Sequence, residues 1–396
     1  MRLVPLLALA FAAAPAPAQD VTAADRLAHD QMLVLDTHLD TPVVFERPGW
    51  DIGDWHHYAW DNSQVDIPRM EAGGLDGGFF VIFTEQGGLD PAAMTKARDA
   101  ALMRAIAIQR VVAAHGDKLG FATTADDAER LHKEGKRAVF QSIENSYPLG
   151  NDLSLLKFYY DLGVRLAGPV HNRGNQFGDS AVGELRWKGL SPLGRQWVAE
   201  MNRLGMIIDG SHASDAAFDQ MLALSKAPII LSHSGPKAIF NHPRNIDDER
   251  MRRLAKAGGV MFVNSVFLVQ HDNSEERDAI VARQEKWATL SPAERRRLVA
   301  DKAALDAKRP YTTADFELFM KSLLHSIRVM GADHVGLGAD WDGGGGGVGM
   351  EDVSTLPKIG ARLRKEGISE ADIARIMGGN LLRVLREVQR RAAKAQ

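Results

Sequence analysis

The sequence predicts an α/β protein folded as one closed parallel barrel, a (β/α)8 TIM barrel with a helical insertion after its seventh strand. Three observations predict it. Short apolar runs alternate with helix-period stretches along the chain, as in successive βαβ units. The runs are near-continuously apolar rather than alternating, as strands covered on both faces are. Eight of them occur, which points to a closed ring rather than an open sheet.

The runs fall at residues 32–36, 77–84, 137–144, 164–170, 206–209, 228–232, 259–266 and 334–337. Helix-period stretches between them include 91–114, 124–134, 192–204, 215–224 and 247–257. Glycine closes several helices just before the next strand: Gly73-Gly74, Gly135, Gly163, Gly205 and Gly258. Residues 271–310 have a different texture, charged, helix-forming and long for a loop. They are read as a helical insertion, either a solvated decoration or a lid or subunit contact. The five consecutive glycines Gly343 to Gly347 lack the Gly-Lys-Ser/Thr of a phosphate loop and read as a flexible loop at the barrel mouth.

With 396 residues, 45% hydrophobic and 25% charged, the chain has ordinary globular composition, and one barrel absorbs its length. Arg2, an apolar run over 3–14 and the Ala16-Pro17-Ala18 pattern read as a secretory signal peptide over residues 1–18. That run is shorter than the ~20 apolar residues a spanning helix needs. The expectation is a single mature domain over 19–396, without a membrane span, in the periplasm. A net charge of -3 leaves no basic surplus for nucleic acid. The absence of cysteine excludes disulfides, thiolate ligands and a cysteine nucleophile. No G-x-S-x-G elbow and no H-E-x-x-H helix appears, so a serine hydrolase and a single-zinc helical site are disfavoured.

Chemistry-bearing residues gather where the predicted strands end. His38 and Asp40 follow the first, Glu144 ends the third, and His171, His212 and His233 follow the fourth, fifth and sixth. Asp340 and Asp342 follow the eighth. In a parallel barrel these ends share one mouth. Residues two apart in extended chain point the same way, so His38 and Asp40 are expected to grip one metal, and His212 and His233 another. Glu144, with two oxygens, is placed to bridge them. Nitrogen and oxygen ligands suit two Zn²⁺, with Mn²⁺ or Co²⁺ as substitutes. Two ions at the usual spacing of about 3.5–4 Å hold a hydroxide between them as nucleophile. Of the thirteen histidines, His56, His57, His115, His132 and His325 are read as surface or packing residues, and His334 stands at the wrong barrel end.

The phrases around these residues resemble the membrane dipeptidase (renal dipeptidase) family of zinc metallopeptidases, over nearly the whole mature chain. Asp36-Thr37-His38-Leu39-Asp40 is similar to its D-x-H-x-D opening, Ile208-Asp209-Gly210-Ser211-His212 to its D-x-S-H phrase, and Ser232-His233-Ser234 to its S-H-S phrase. Val335 to Gly343 matches its G-x-G-x-D-[FW]-D-G signature. Gln64 to Arg69, Arg244-Asn245 and Gly379-Asn380 follow in family order. The resemblance implies that His171 stabilises the oxyanion, that Arg244 pairs with the substrate's terminal carboxylate, and that Asp340 moves the proton. It implies a dipeptide substrate, some tolerance of a D-residue at the C-terminal position, and a homodimer. Other binuclear amidohydrolase activity, such as N-acyl amino acid deacylation or lactone or ester hydrolysis, is the alternative on the same scaffold. Asp342 and Asp36 are read as supporting residues. The stretch Ser265-Val266-Phe267-Leu268 departs from the family pattern where the side-chain pocket is shaped.

Overall fold

The computed structural model describes residues 21–395, and the expected leader lies outside them. Nine short strands form where the chain is most apolar. They are β1 (Leu35–Leu39), β2 (Gly77–Ile82), β3 (Leu119–Phe121), β4 (Arg137–Ile143), β5 (Val164–Ala167), β6 (Ile207–Ile208), β7 (Ile230–Ser234), β8 (Val260–Val263) and β9 (Val335–Leu337). Every strand pairing is parallel. One sheet runs β1-β2-β4-β5-β6 and the other β7-β8-β9. Single bridges, Asp209 to Ile230 and Leu39 to Trp341, join them into a ring of eight. The ninth strand, β3, pairs only with β4 and stands outside the ring.

All eight expected runs therefore became ring strands, and β3 is the addition. Its three residues are too short to show as an apolar run. The first run is also shifted: β1 starts at Leu35, so Asp36 and His38 lie within the strand rather than beyond it. Helices cover the ring at Pro91–Ala114, Ala125–Lys133, Pro192–Leu204, Asp215–Leu224 and Asp248–Lys256. The third of these ends at Gly205, whose φ of 76° is the left-handed turn that a side chain resists.

The interior is filled from below. Leu35, Phe79, Phe140, Leu166, Ile207, Ile230 and Val260 form one buried cluster with Leu381, Val384, Leu385 and Val388 of the last helix, Asn380–Ala395. That helix donates side-chain hydrogen bonds to Lys226, Gly258 and Asp333, in segments that precede strands, and to Thr123, just after β3. It thus closes the N-terminal end of the ring and leaves the C-terminal end as the mouth.

Residues between β8 and β9 form the helices Glu275–Gln284 and Pro292–Lys308. Arg277, 4% exposed, ties their feet through Asp272 and Asp306. Gln284 reaches the carbonyl of Tyr58, and Trp287 lies parallel to Trp60, so the pair leans on the segment after β1. No helix among the described residues is long and apolar enough to cross a membrane.

Candidate active site

Each predicted site residue is carried to the mouth by its own element. His38 sits in β1 and Asp40 follows it directly, while Glu144 follows β4. His171 and His212 stand on the turns after β5 and β6, His233 is in β7, and Asp340 stands beyond β9. These side chains meet. Glu144 Oε1 lies 3.0 Å from His212 Nε2, 3.6 Å from both His38 Nε2 and His233 Nε2, and 3.7 Å from His171 Nε2. His38 Nε2 is 3.6 Å from Asp40 Oδ2. Three sets of ligand atoms, each within 4.8 Å of one another, overlap here: His38–Glu144–His233, Glu144–His171–His212 and His38–Asp40–Asp340.

The electrostatics of this cluster call for cations. Burial, then the Asp40 charge, pushes the Glu144 carboxyl well above its usual range. Burial raises Asp340 to about 7. Burial drives His212 and His233 far down, with Arg244 adding to the effect, so both rings are neutral and offer lone pairs. His38 Nε2 and Asp40 Oδ1 are buried without a hydrogen-bond partner. Buried polar atoms are rarely left so, and each costs about 1–3 kcal/mol unless something binds it. An all-nitrogen-and-oxygen set with orphaned atoms and clustered carboxylates fits divalent metal ions. His233 groups with His38 and His212 with His171, yet His212 Nε2 and His233 Nε2 are also only 2.8 Å apart.

A cavity of about 230 Å³ opens onto this cluster, lined by Asp40, Glu144, His171 and Asp340 on its polar side and by Val43, Phe83, Val266 and Phe267 on its apolar side. His171 is held neutral, its pKa pushed down to about 4 by burial and by Arg244. Its ring meets Phe83 edge-on at 5.1 Å. Arg244 is close by but does not line the cavity. It is 4% exposed, donates to the carbonyl of His233 at 3.3 Å, and lies 5.0 Å from the Phe267 ring.

Comparison with known proteins now decides the family. The family model described as membrane dipeptidase, peptidase family M19, matches residues 22–396. The chain belongs to that family. It is 35% identical to the dipeptidase tcpJ of Claviceps purpurea over 72% of this chain; that alignment spans 59% of the fungal protein. Among solved structures, the probable dipeptidase PvdM of Pseudomonas aeruginosa superposes with a TM-score of 0.79 at 30% identity, over 93% of this chain and 98% of that one. A metallopeptidase of Rhodobacter sphaeroides, solved with a phosphinate mimic of the dipeptide L-Ala-D-Ala, superposes at 0.71 with 25% identity, over 90% and 99%. The protein is thus a metallo-dipeptidase on a parallel α/β barrel.

Residues that sequence reasoning missed or left open hold the dipeptidase site in shape. Asn172 Oδ1 is 3.0 Å from His212 Nδ1. Ser232 Oγ is 2.8 Å from His233 Nδ1 and donates to Asp209 at 2.5 Å, so a buried carboxylate orients that ring through a hydroxyl. For Asn172 the only signal was its adjacency to His171, whereas Asp209 and Ser232 stood in the phrases that resemble the family. Asp36 accepts from the amides of His38 and Ala339, tying β1 to the segment after β9. Asp342 accepts from Thr41 Oγ1 at 2.7 Å and the Gln64 amide at 2.6 Å, and belongs to none of the three ligand sets.

The backbone is strained at the same place. His212, Asp340 and Asp342 have φ of 65°, 68° and 64°. Left-handed conformations at non-glycine residues cost about 1–3 kcal/mol each and gather at functional sites. The glycine run is not the flexible loop expected. Gly345 donates to Asp340 O, Gly346 donates to Ser265 Oγ, and Gln64 Nε2 donates to Gly345 O. At Gly343 a Cβ would sit 2.1 Å from both Asp40 Oδ2 and Asp340 Oδ1, so only glycine lets the loop pass over the two carboxylates.

Proposed function

We propose that this metallo-dipeptidase uses two Zn²⁺ ions, which Mn²⁺ or Co²⁺ can replace. His38, Asp40, His212 and His233 hold them, and Glu144 is shared between the two positions. The observation that carries this reading is the trio of overlapping ligand sets with Glu144 in two of them. When bound, such ions polarise the scissile carbonyl and make water acidic enough to attack near neutral pH.

The chain's own groups do the rest. Asp340, with its carboxyl raised to about 7, releases and regains a proton at working pH. It takes the proton of the attacking water and returns it to the leaving amine nitrogen. Neutral His171 donates a hydrogen bond to the carbonyl oxygen as negative charge builds there. Arg244 pairs with the terminal carboxylate, a geometry suited to a planar guanidinium. The small cavity favours a dipeptide over longer chains, and the Rhodobacter relative's ligand supports tolerance of a C-terminal D-residue. Export to the periplasm after removal of residues 1–18, a single domain over 19–396, and homodimer formation belong to the same reading.

One observation keeps the alternative open. Arg244 does not line the cavity, as a lactone or ester hydrolase would allow, whereas an N-acyl amino acid carries the same carboxylate as a dipeptide and needs the same partner. The deciding experiment strips the metal and assays L,L and L,D dipeptides with and without added Zn²⁺. Recovery of cleavage at two zinc per chain supports the reading, as does a KM raised by about 10- to 150-fold in Arg244→Ala, the factor that a charge-assisted contact of about 1.5–3 kcal/mol represents. Two bound zinc ions with no dipeptide cleaved would move the substrate to the alternative class.

A further inference from the structure

Phe267 lies in a stretch of the mouth read as departing from the family pattern, and its ring packs 5.0 Å from the Arg244 guanidinium. Its ring lines the cavity, whereas the guanidinium does not. Arg244 is 4% exposed, and its Nε is buried without a partner. Its Nη2 makes only a long bond, 3.3 Å, to the His233 carbonyl. A guanidinium has five donors in a fixed fork, and leaving them unmet in a dry setting is costly. An aromatic face lies 5.0 Å from that of Arg244, a weak partner for a cation compared with a carboxylate.

The cover is built so that only the side chain can move. Asn264 Oδ1 accepts from the Phe267 amide at 3.2 Å, and Asn245 Nδ2 donates to its carbonyl at 2.9 Å. Val266 and Leu268 on either side are buried. The backbone is therefore pinned, while the ring is partly exposed. The ring has a resting stack as well: it lies 4.7 Å from His242 at 15°, and His242 lies 5.7 Å from Phe240 at 9°.

We propose that Phe267 is a gate over the carboxylate-anchoring arginine. Its ring shields Arg244 in the resting enzyme and rotates aside when a dipeptide brings a free carboxylate into the cavity. The inference rests on Arg244 being the carboxylate partner. The dipeptide displaces a cation–π contact and replaces it with a charge-assisted pair. A substrate without that carboxylate has nothing to offer the guanidinium and meets Phe267 as a closed apolar wall.

Two measurements test the gate. The first needs neither metal nor turnover: phenylglyoxal labelling of the metal-free chain, followed residue by residue in digested peptides. Arg244 should label slowly in the natural protein and faster in Phe267→Ala, with Phe267→Leu between them. Equal rates would overturn the proposal. The second compares a dipeptide with its C-terminal amide on the zinc-loaded enzyme. Phe267→Ala should lower KM for the dipeptide by about two- to fivefold relative to whatever change it makes for the amide, the factor that a modest cation–π contact represents. The gain should vanish when Arg244→Ala is added. A KM that stays the same or rises in Phe267→Ala, while Arg244→Ala raises it, removes the gate and keeps the carboxylate partner. An unchanged KM in Arg244→Ala removes both.

Discussion

At the N-terminal end of the ring, Leu381, Val384, Leu385 and Val388 press on Leu35, Phe79, Phe140 and Ile230 in a buried apolar contact. At the other end, a few residues along the same strands, Asp40, Glu144, Asp340 and four histidines crowd one another. Two of their atoms lack partners, and three nearby residues hold left-handed backbone. Burying an aliphatic side chain is worth about 1.5–3 kcal/mol, whereas an unmet buried polar atom costs about 1–3. The floor supplies stability and the mouth consumes it. The difference teaches that strain and crowding at the mouth are tolerable because the floor holds the ring without help from the site.

The comparison can be broken at either end. The largest effect is expected from Asp340→Asn, which keeps the shape but cannot move a proton. Dipeptide turnover should fall by about 10²–10⁴-fold, while urea unfolding of the metal-free protein shows equal or greater stability because a buried like charge is gone. A marked loss of stability would mean that the mouth also supports the fold. Next is Leu385→Ala on the floor, expected to cost about 2–5 kcal/mol in unfolding free energy with kcat/KM per folded molecule unchanged. A specific fall in kcat/KM would show that floor and mouth are coupled.

Smaller changes sharpen the picture. Thr41→Val removes the hydroxyl that Asp342 accepts from, and should lower metal-free stability by about 1.5–3 kcal/mol. No loss on chemical denaturation would make that bond incidental. The smallest effect concerns His29, buried far from the site with its Nε2 2.9 Å from the Gly73 carbonyl. Burial pushes its pKa below the ordinary 6.5. The native ring therefore stays neutral while the unfolded chain takes up a proton as pH falls through about 6.5. Stability contributed above that pH is lost below it, and His29→Gln should flatten this part of the dependence between pH 7.5 and 5.5. Identical pH slopes for the two chelator-treated proteins would refute it.

Much of this was legible in the sequence because it depends on local pattern. Near-continuous apolar runs marked all eight ring strands, and glycines such as Gly205 marked helix ends. The ligand types also stood at strand ends, where a parallel barrel must bring them together. What was not legible depends on contacts made only after closure. Nothing local reveals that Asn172 will meet His212, or that Ser232 will link His233 to Asp209, until the ring has closed. The glycine run read as loose because composition does not reveal that Gly343 must pass over Asp40 and Asp340. Likewise, the cover over Arg244 comes from Phe267, twenty-three positions along the chain, and no spacing rule links the two.

The bridge between Leu39 and Trp341 bears on the timing of assembly. Its two partners stand next to His38 and Asp340, so the first and last contributors to the site arrive from opposite ends of the chain. No partial chain lacking β9 carries the full set, however well its earlier strands have paired. Such long-range closure is the slow kind of contact in folding. Competence for hydrolysis is thus a late event that coincides with completion of the ring, and a chain still being made has no means of cutting anything.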